Sequence, residues 1–167
     1  MTCDPTRTFK KLARNNRLAN LRLHHACLQL TADELVAPRT SFFPTIRKTL
    51  NHIYLVDLFY LDAMKGGSLG HSVFGEPEPY SDMASLAEAQ AALDMDLMAF
   101  VDCLDADGIA ATVQHQTHHR GQVHAMLSGT RLKPPQLDEF IVGDDAPVRK
   151  TELQALGWTE TDLMFPV

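Results

Sequence analysis

Three histidines fall within five positions of one helix-compatible stretch, Gln114 to Gln122, which reads Q-H-Q-T-H-H-R-G-Q. On a helix His115 and His119 stand one turn apart, so both imidazoles leave the same face and reach a single ion. His118, at i, i+3 from His115, is a geometrically possible rival to His119. Zinc proteases that use the i, i+4 pair place a glutamate general base directly after the first histidine. Here that position is Gln116, which carries no proton-accepting charge. Chance alone supplies about 0.4 such pairs in a chain this rich in histidine, so a metal site needs a third ligand from another element.

His52 is the candidate for that ligand. It sits midway along L-N-H-I-Y-L-V-D-L-F-Y, an apolar stretch in which an unpaired imidazole is expensive to bury. A lone histidine in such a place is more often a satisfied core residue; the pair on a second helix shifts the balance toward a ligand. A di-iron centre of the Glu-x-x-His kind is excluded, because no glutamate has a histidine three residues later. There is no G-x-S-x-G elbow, phosphate-binding loop or dinucleotide fingerprint, and the catalytic residues stay unassigned.

The elements that must carry these histidines read as helices. From about Thr8 to Leu30, Leu12, Ala13, Ala19, Leu23, Ala26, Cys27 and Leu30 recur at three and four, the period of one buried stripe. Thr31 to Glu34 spells a capping box for a short helical turn. A second long helix is expected from near Ser41, with Pro44 in its first turn, to Gly66-Gly67. Gly66 to Tyr80 reads as a loop. A third helix capped by Ser81 or Ser85 runs to Leu104, and a fourth, holding the histidine pair, should end at Gly129, a residue type typical just past a helix C-terminus. The short Asp105–Gly108 connection predicts that the third and fourth helices are antiparallel neighbours. The economical fold is all-α: an up-and-down four-helix bundle with short extra helical segments at Thr151–Leu156 and Thr159–Leu163. One domain accounts for residues 1–167, with 143–167 as a C-terminal tail.

Composition narrows the partners. A formal net charge of -6 disfavours nucleic acid, which is held largely through lysine and arginine. The helical stripe Arg7, Lys10, Arg14 and Arg17 is the local exception and reads as a solvated face. No apolar run approaches the ~18 residues that span a bilayer, so no membrane partner is expected. The N-terminus has no apolar secretory core, and three cysteines share no C-x-x-C spacing; both point to a cytoplasmic protein with reduced thiols. Leu18, Leu21 and Leu28 fall outside the first helix's main stripe and call for cover by a second copy.

His52 in L-N-H-I-Y-L-V-D, together with His115 and His119 in H-Q-T-H-H-R-G-Q and the following P-P-Q-L-D, resembles the DinB/YfiT-like family of metal-binding four-helix bundles. The resemblance runs from the first helix to about Val142. It implies one divalent ion, zinc or nickel before iron or manganese, held by three histidines with open positions. By residue it places the ligands at His52, His115 and His119, with His119 preferred to His118 because the family's ligand stands directly before Arg-Gly-Gln. Gln122 lies almost directly beneath His115 on the helix and would steady a ligand imidazole or meet bound water or substrate. Arg120 would meet a neighbouring helix or subunit, and Gly121 would allow close helix packing.

The resemblance further implies frequent homodimers and a metal-dependent thiol S-transferase or hydrolase acting on a small molecule with a low-molecular-weight thiol. A non-catalytic metal-binding or dimerisation module of the stress response is the alternative. One departure matters: family members usually have a longer segment before the ligand helix than Asp105–Gly108 provides.

Overall fold

The computed structural model describes residues 6–104, 115–137 and 146–165, and for residues 115–119 the backbone alone. Among the described residues the regular structure is helical, with no strand. The long helices are α1 (Thr6–Cys27), α3 (Ile46–Met64), α4 (Met83–Asp102) and α5 (His115–Leu127); the short ones are α2 (Ala32–Val36), α6 (Lys150–Leu156) and α7 (Glu160–Met164). Asp105–Gly108 and 138–145 lie outside the described residues, so the expected short connection and most of the Leu137–Val142 segment go without a structural account.

Helix ends follow the chemistry of their caps. Thr31 Oγ1 accepts from Glu34 N at 3.2 Å while Thr31 N donates to Glu34 Oε2 at 2.8 Å, which is the expected capping box. α3 starts later than the sequence suggests. Thr45, with extended backbone, caps it by accepting from Lys48 N at 3.1 Å, and Pro44 lies outside because the residue before a proline is pushed away from helical geometry. Asp82, rather than either serine, caps α4 by accepting from Ser85 N at 2.8 Å. α5 ends at Leu127, which leaves Gly129 just past the helix end as expected, and among the described glycines Gly66, Gly70 and Gly157 have positive φ. Gly157 ends α6 at φ 68°, a conformation that costs glycine little. The expected 66–80 loop contains one 3-10 segment, Gly70–Gly75.

The side-chain pairs set the directions of the helices. Arg14 pairs with Asp102 at 2.9 Å while Asn20 meets Asp94 at 2.8 Å, so α1 and α4 run antiparallel. Asn51 meets Tyr80, Asp57 meets Gln90 and Lys65 meets Asp96, so α3 and α4 run parallel. Arg120 reaches Asn16 and Arg131 reaches Gln29, which makes α5 parallel to α1 and antiparallel to α3. The strict up-and-down alternation expected from the sequence is therefore corrected. Its physical reason is the segment after α3: a helix of this length spans roughly 28 Å at 1.5 Å per residue, and the 65–82 connection is long enough to return along it. α4 packs chiefly on α1 and α3, and α5 chiefly on α3, so α4 and α5 do not form the main antiparallel pair that the short connection suggested.

The core lies where these four helices converge. Leu23, Leu50, Ile53, Leu86, Val123 and Leu127 are almost wholly buried in one cluster, and Ala13, Leu61, Leu97 and Val101 form a second. Leu12 of the expected stripe is 42 % exposed, whereas Leu18, expected to need a second copy, is fully buried within the chain. Leu21 is half-buried and Leu28 is 44 % exposed. Arg14 and Arg17 turn inward to Asp102 and Asp94, so half of the basic stripe is an internal ion-pair face. The tail makes a small cluster of its own from Leu153 and Leu163, with Trp158 and Met164 against it. Arg22 pairs with Glu152 at 3.4 Å, Arg7 donates to Met164 O at 3.3 Å and the Arg7 guanidinium lies 5.1 Å above the Phe165 ring, which straps the tail to α1.

Leu50→Ala should cost about 2–5 kcal/mol, since it removes a fully buried side chain from the larger cluster. Urea unfolding followed by circular dichroism measures it; a loss below about 1 kcal/mol contradicts this placement of the core.

Candidate metal centre and the polar core beside it

His52 projects from α3 half-buried, with the Phe43 ring centroid 4.3 Å from its own at an interplanar angle of 41°. Phe43 reaches it because the chain turns at Pro44 and Thr45 immediately before α3. Of the long helices, α5 is a principal partner of α3, and α5 opens on His115, with His119 one turn further. The side chains of His115, His118 and His119 lie outside what is described, so the three-histidine set keeps its sequence argument without a measured geometry. Among the described residues no group of three His, Cys, Asp or Glu side chains could hold a metal. Gln122 is half-buried on α5. Arg120 is 7 % exposed and donates to Asn16 of α1, the neighbouring-helix role expected of it. Gly121 is exposed, and a Cβ built on it meets nothing within 4 Å, so close packing does not explain that glycine.

Beside this region lies a buried polar set that periodicity did not single out. Asp94 of α4 is 1 % exposed. Its Oδ1 accepts from Asn20 at 2.8 Å, Gln90 at 3.1 Å and Asn16 at 3.2 Å. Gln90 Nε2 also donates to Asp57 Oδ2 of α3 at 2.8 Å, and an Arg17 guanidinium nitrogen stands 3.7 Å from Asp94 Oδ2. Through Asn16 and Arg120 the set extends to α5, so all four long helices meet in it. The signal was present in the sequence as two polar i, i+4 pairs, Asn16/Asn20 and Gln90/Asp94, on faces that are otherwise apolar.

Burial raises the Asp94 carboxyl to about 7, against the hydrogen bonds from Gln90 and Asn20 and the nearby cations Arg17 and Arg120, which pull it down. Burial lowers Arg120, opposed by the charges of Asp57 and Asp94. His24, one turn beyond Asn20 on α1, is lowered to about 4 by burial first and then by Arg17 and His25. The Cys27 thiol is pushed up to about 12 by burial, which leaves it a poor nucleophile.

The chain is a member of the DinB family, whose model matches residues 3–106. That match takes in α1 to α4 and His52 but ends before α5, short of the Val142 limit expected from the sequence. No curated protein and no solved structure matches the chain.

The two shifted groups oppose each other in acid. The raised Asp94 stabilises the fold most below its unfolded value of about 3.8, and that contribution is lost as pH rises through about 7. The depressed His24 contributes stability above its unfolded value of about 6.5, lost as pH falls through about 4. Asp94→Asn keeps an oxygen for the three amide donors and removes the first effect. Its stability should therefore fall more steeply than the parent's between pH 6.5 and pH 4, by on the order of 1–3 kcal/mol. Parallel urea-derived stability profiles over that range would contradict the burial argument.

Proposed function

We propose that the protein is a metal-dependent enzyme in which His52, His115 and His119 hold one divalent ion and a small-molecule electrophile is attacked with the help of a low-molecular-weight thiol or water. The observation that carries this reading is the packing of α3, with His52, on α5, with His115 and His119 in its first turns. Three neutral imidazoles form a donor set suited to zinc or nickel, and also to iron, with manganese the least favoured. An ion so bound with open positions supplies a lowered pKa to water or thiol, giving a nucleophile at neutral pH.

The chain's own contributions follow from placement. α1, α3, α4 and α5 form a four-helix bundle that fixes the ligand helices against each other. Phe43 packs on the His52 ring and restricts its rotation, which holds a ligand nitrogen in one direction. Gln122, two turns along α5 from His115, hydrogen-bonds a ligand imidazole and sets its tautomer. Family membership, over a match that includes His52, supports the bundle and homodimers, with Leu21 and the exposed Leu28 offering an apolar face on α1. Cysteines odd in number and without C-x-x-C spacing support a cytoplasmic setting; no helix among the described residues is long and apolar enough to cross a membrane. A non-catalytic metal-binding or dimerisation module is the second reading.

Untagged protein should carry one equivalent of divalent metal by elemental analysis. His52→Ala, His115→Ala and His119→Ala should each lose it, while His71→Ala and His124→Ala keep it. Full retention in His52→Ala removes the assignment. Where free metal exceeds its dissociation constant a hundredfold, binding adds about 2.7 kcal/mol to stability, so holo protein should melt above an EDTA-treated sample at pH 7.5; coincident melts count against a tightly held ion. Thiol conjugates formed from a panel of electrophiles, and lost with the metal, separate the enzyme from the non-catalytic module. Light scattering giving the 18.6 kDa monomer mass at micromolar concentration argues against the dimer.

A further inference from the structure

The two helices that carry the candidate ligands are joined by an unbroken run of buried side-chain hydrogen bonds. From α5, Arg120 donates to Asn16 Oδ1 of α1. Asn16 Nδ2 donates to Asp94 Oδ1 of α4 at 3.2 Å, and the same oxygen accepts from Gln90 Nε2 at 3.1 Å. Gln90 Nε2 also donates to Asp57 Oδ2 of α3 at 2.8 Å, which completes the path from α5 to α3. Every member is at most 9 % exposed. The two ends stand close to the candidate ligands in the sequence: Asp57 follows His52 by five residues, and Arg120 follows His119 directly and His115 by five.

A metal centre tolerates displacement of its donors by only about 0.5 Å and 10–20°. At the ~5–6 Å radius of a helix with its side chains, a rotation of about 10° already carries a side-chain atom about 1 Å. The apolar cluster that Leu50 and Ile53 share with Val123 and Leu127 is non-directional, and both α5 members lie further along the helix than His119. Hydrogen bonds are directional and fix what apolar packing leaves loose. Arg120 anchors α5 toward α1, and the negative charges of Asp57 and Asp94 favour its cation there.

We infer that Arg120, Asn16 and Gln90 are positioning residues for the metal centre: the run they form sets the rotation of α5 against α3, and with it the placing of residues 52, 115 and 119 around one ion. The inference rests on the three-histidine reading proposed above. These residues act through the two helix backbones rather than on the ion. The run also passes through α1 and α4, so both non-ligand helices serve the site by holding the two that carry it.

Cobalt(II) absorbs visible light with a spectrum set by the number and geometry of its ligands, so titrating it into the full-length protein reads both affinity and placement. The parent should show a band that is lost in His52→Ala. Arg120→Met, which removes the α5 end of the run, should raise the cobalt dissociation constant at least tenfold and alter the spectrum at saturation, at a temperature where circular dichroism shows a fully folded protein. Arg120→Lys, which keeps a donor and a cation, should restore the parent spectrum. Val101→Ala thins the second core cluster without touching the run, and should lower the melting temperature but leave the spectrum as it is. If Arg120→Met does not fold, Gln90→Met cuts the run at its α3 end and should have the same effect on cobalt. A parent without a His52-dependent band overturns the three-histidine reading and this inference with it. A parent band that Arg120→Met and Gln90→Met leave unchanged in affinity and shape, or that Val101→Ala changes as much, overturns the inference alone.

Discussion

The buried Asp94 carboxylate is the constraint around which the helices are arranged. A charge this far from water is tolerated only when it is matched, and the match here is distributed: two asparagines of α1, a glutamine of its own helix and an arginine at 3.7 Å. The same glutamine reaches Asp57 on α3, and the same Asn16 receives Arg120 from α5. Apolar contacts among leucines tolerate a slide of one helix past another by part of a turn; this set does not, because a slide would strand several buried groups at once. Register among α1, α3, α4 and α5 is therefore fixed by polar geometry, while the leucine clusters supply the bulk of the burial.

That division explains what could be read from the sequence. Leu23, Ala26, Cys27 and Leu30 announced themselves by period, and the structure buries each of them. The Thr31 capping box and the Thr159 turn were equally local and equally legible. The inward turn of Arg14 and Arg17 was not, because their partners, Asp102 and Asp94, stand some eighty residues away and no local rule marks them as internal. Asn16, Asn20, Gln90 and Asp94 were missed for a related reason: a search for apolar periodicity treats a polar residue on the buried face as an interruption rather than as content.

Chain direction was misread for a different cause. Short loops imply antiparallel neighbours, and the sequence has one plain long loop, 66–80, whose glycines and prolines say only that it is not a helix. The pairs Asn51–Tyr80, Asp57–Gln90 and Lys65–Asp96 show that this loop carries the chain back along α3, so that α4 starts again at the same end. For the candidate metal site, His52 was legible as an imidazole out of place in an apolar helix; the structure adds that it lies half-buried beside Phe43. The assignment of His115 and His119 rests on spacing and resemblance.

The strap that ties Arg7 to Met164 and Phe165 joins residues 157 positions apart. Closing so long a loop is entropically costly and is recovered only once the intervening helices are in place. The tail, whose own core is little more than Leu153 and Leu163, is thus the last part to dock as the chain folds and the first to lift away. Because the strap brings residues 7 and 164 side by side, a peptide link across that gap would need only a few residues. A circularly permuted chain, opened elsewhere on the surface, would turn this contact between distant parts of the sequence into a local one.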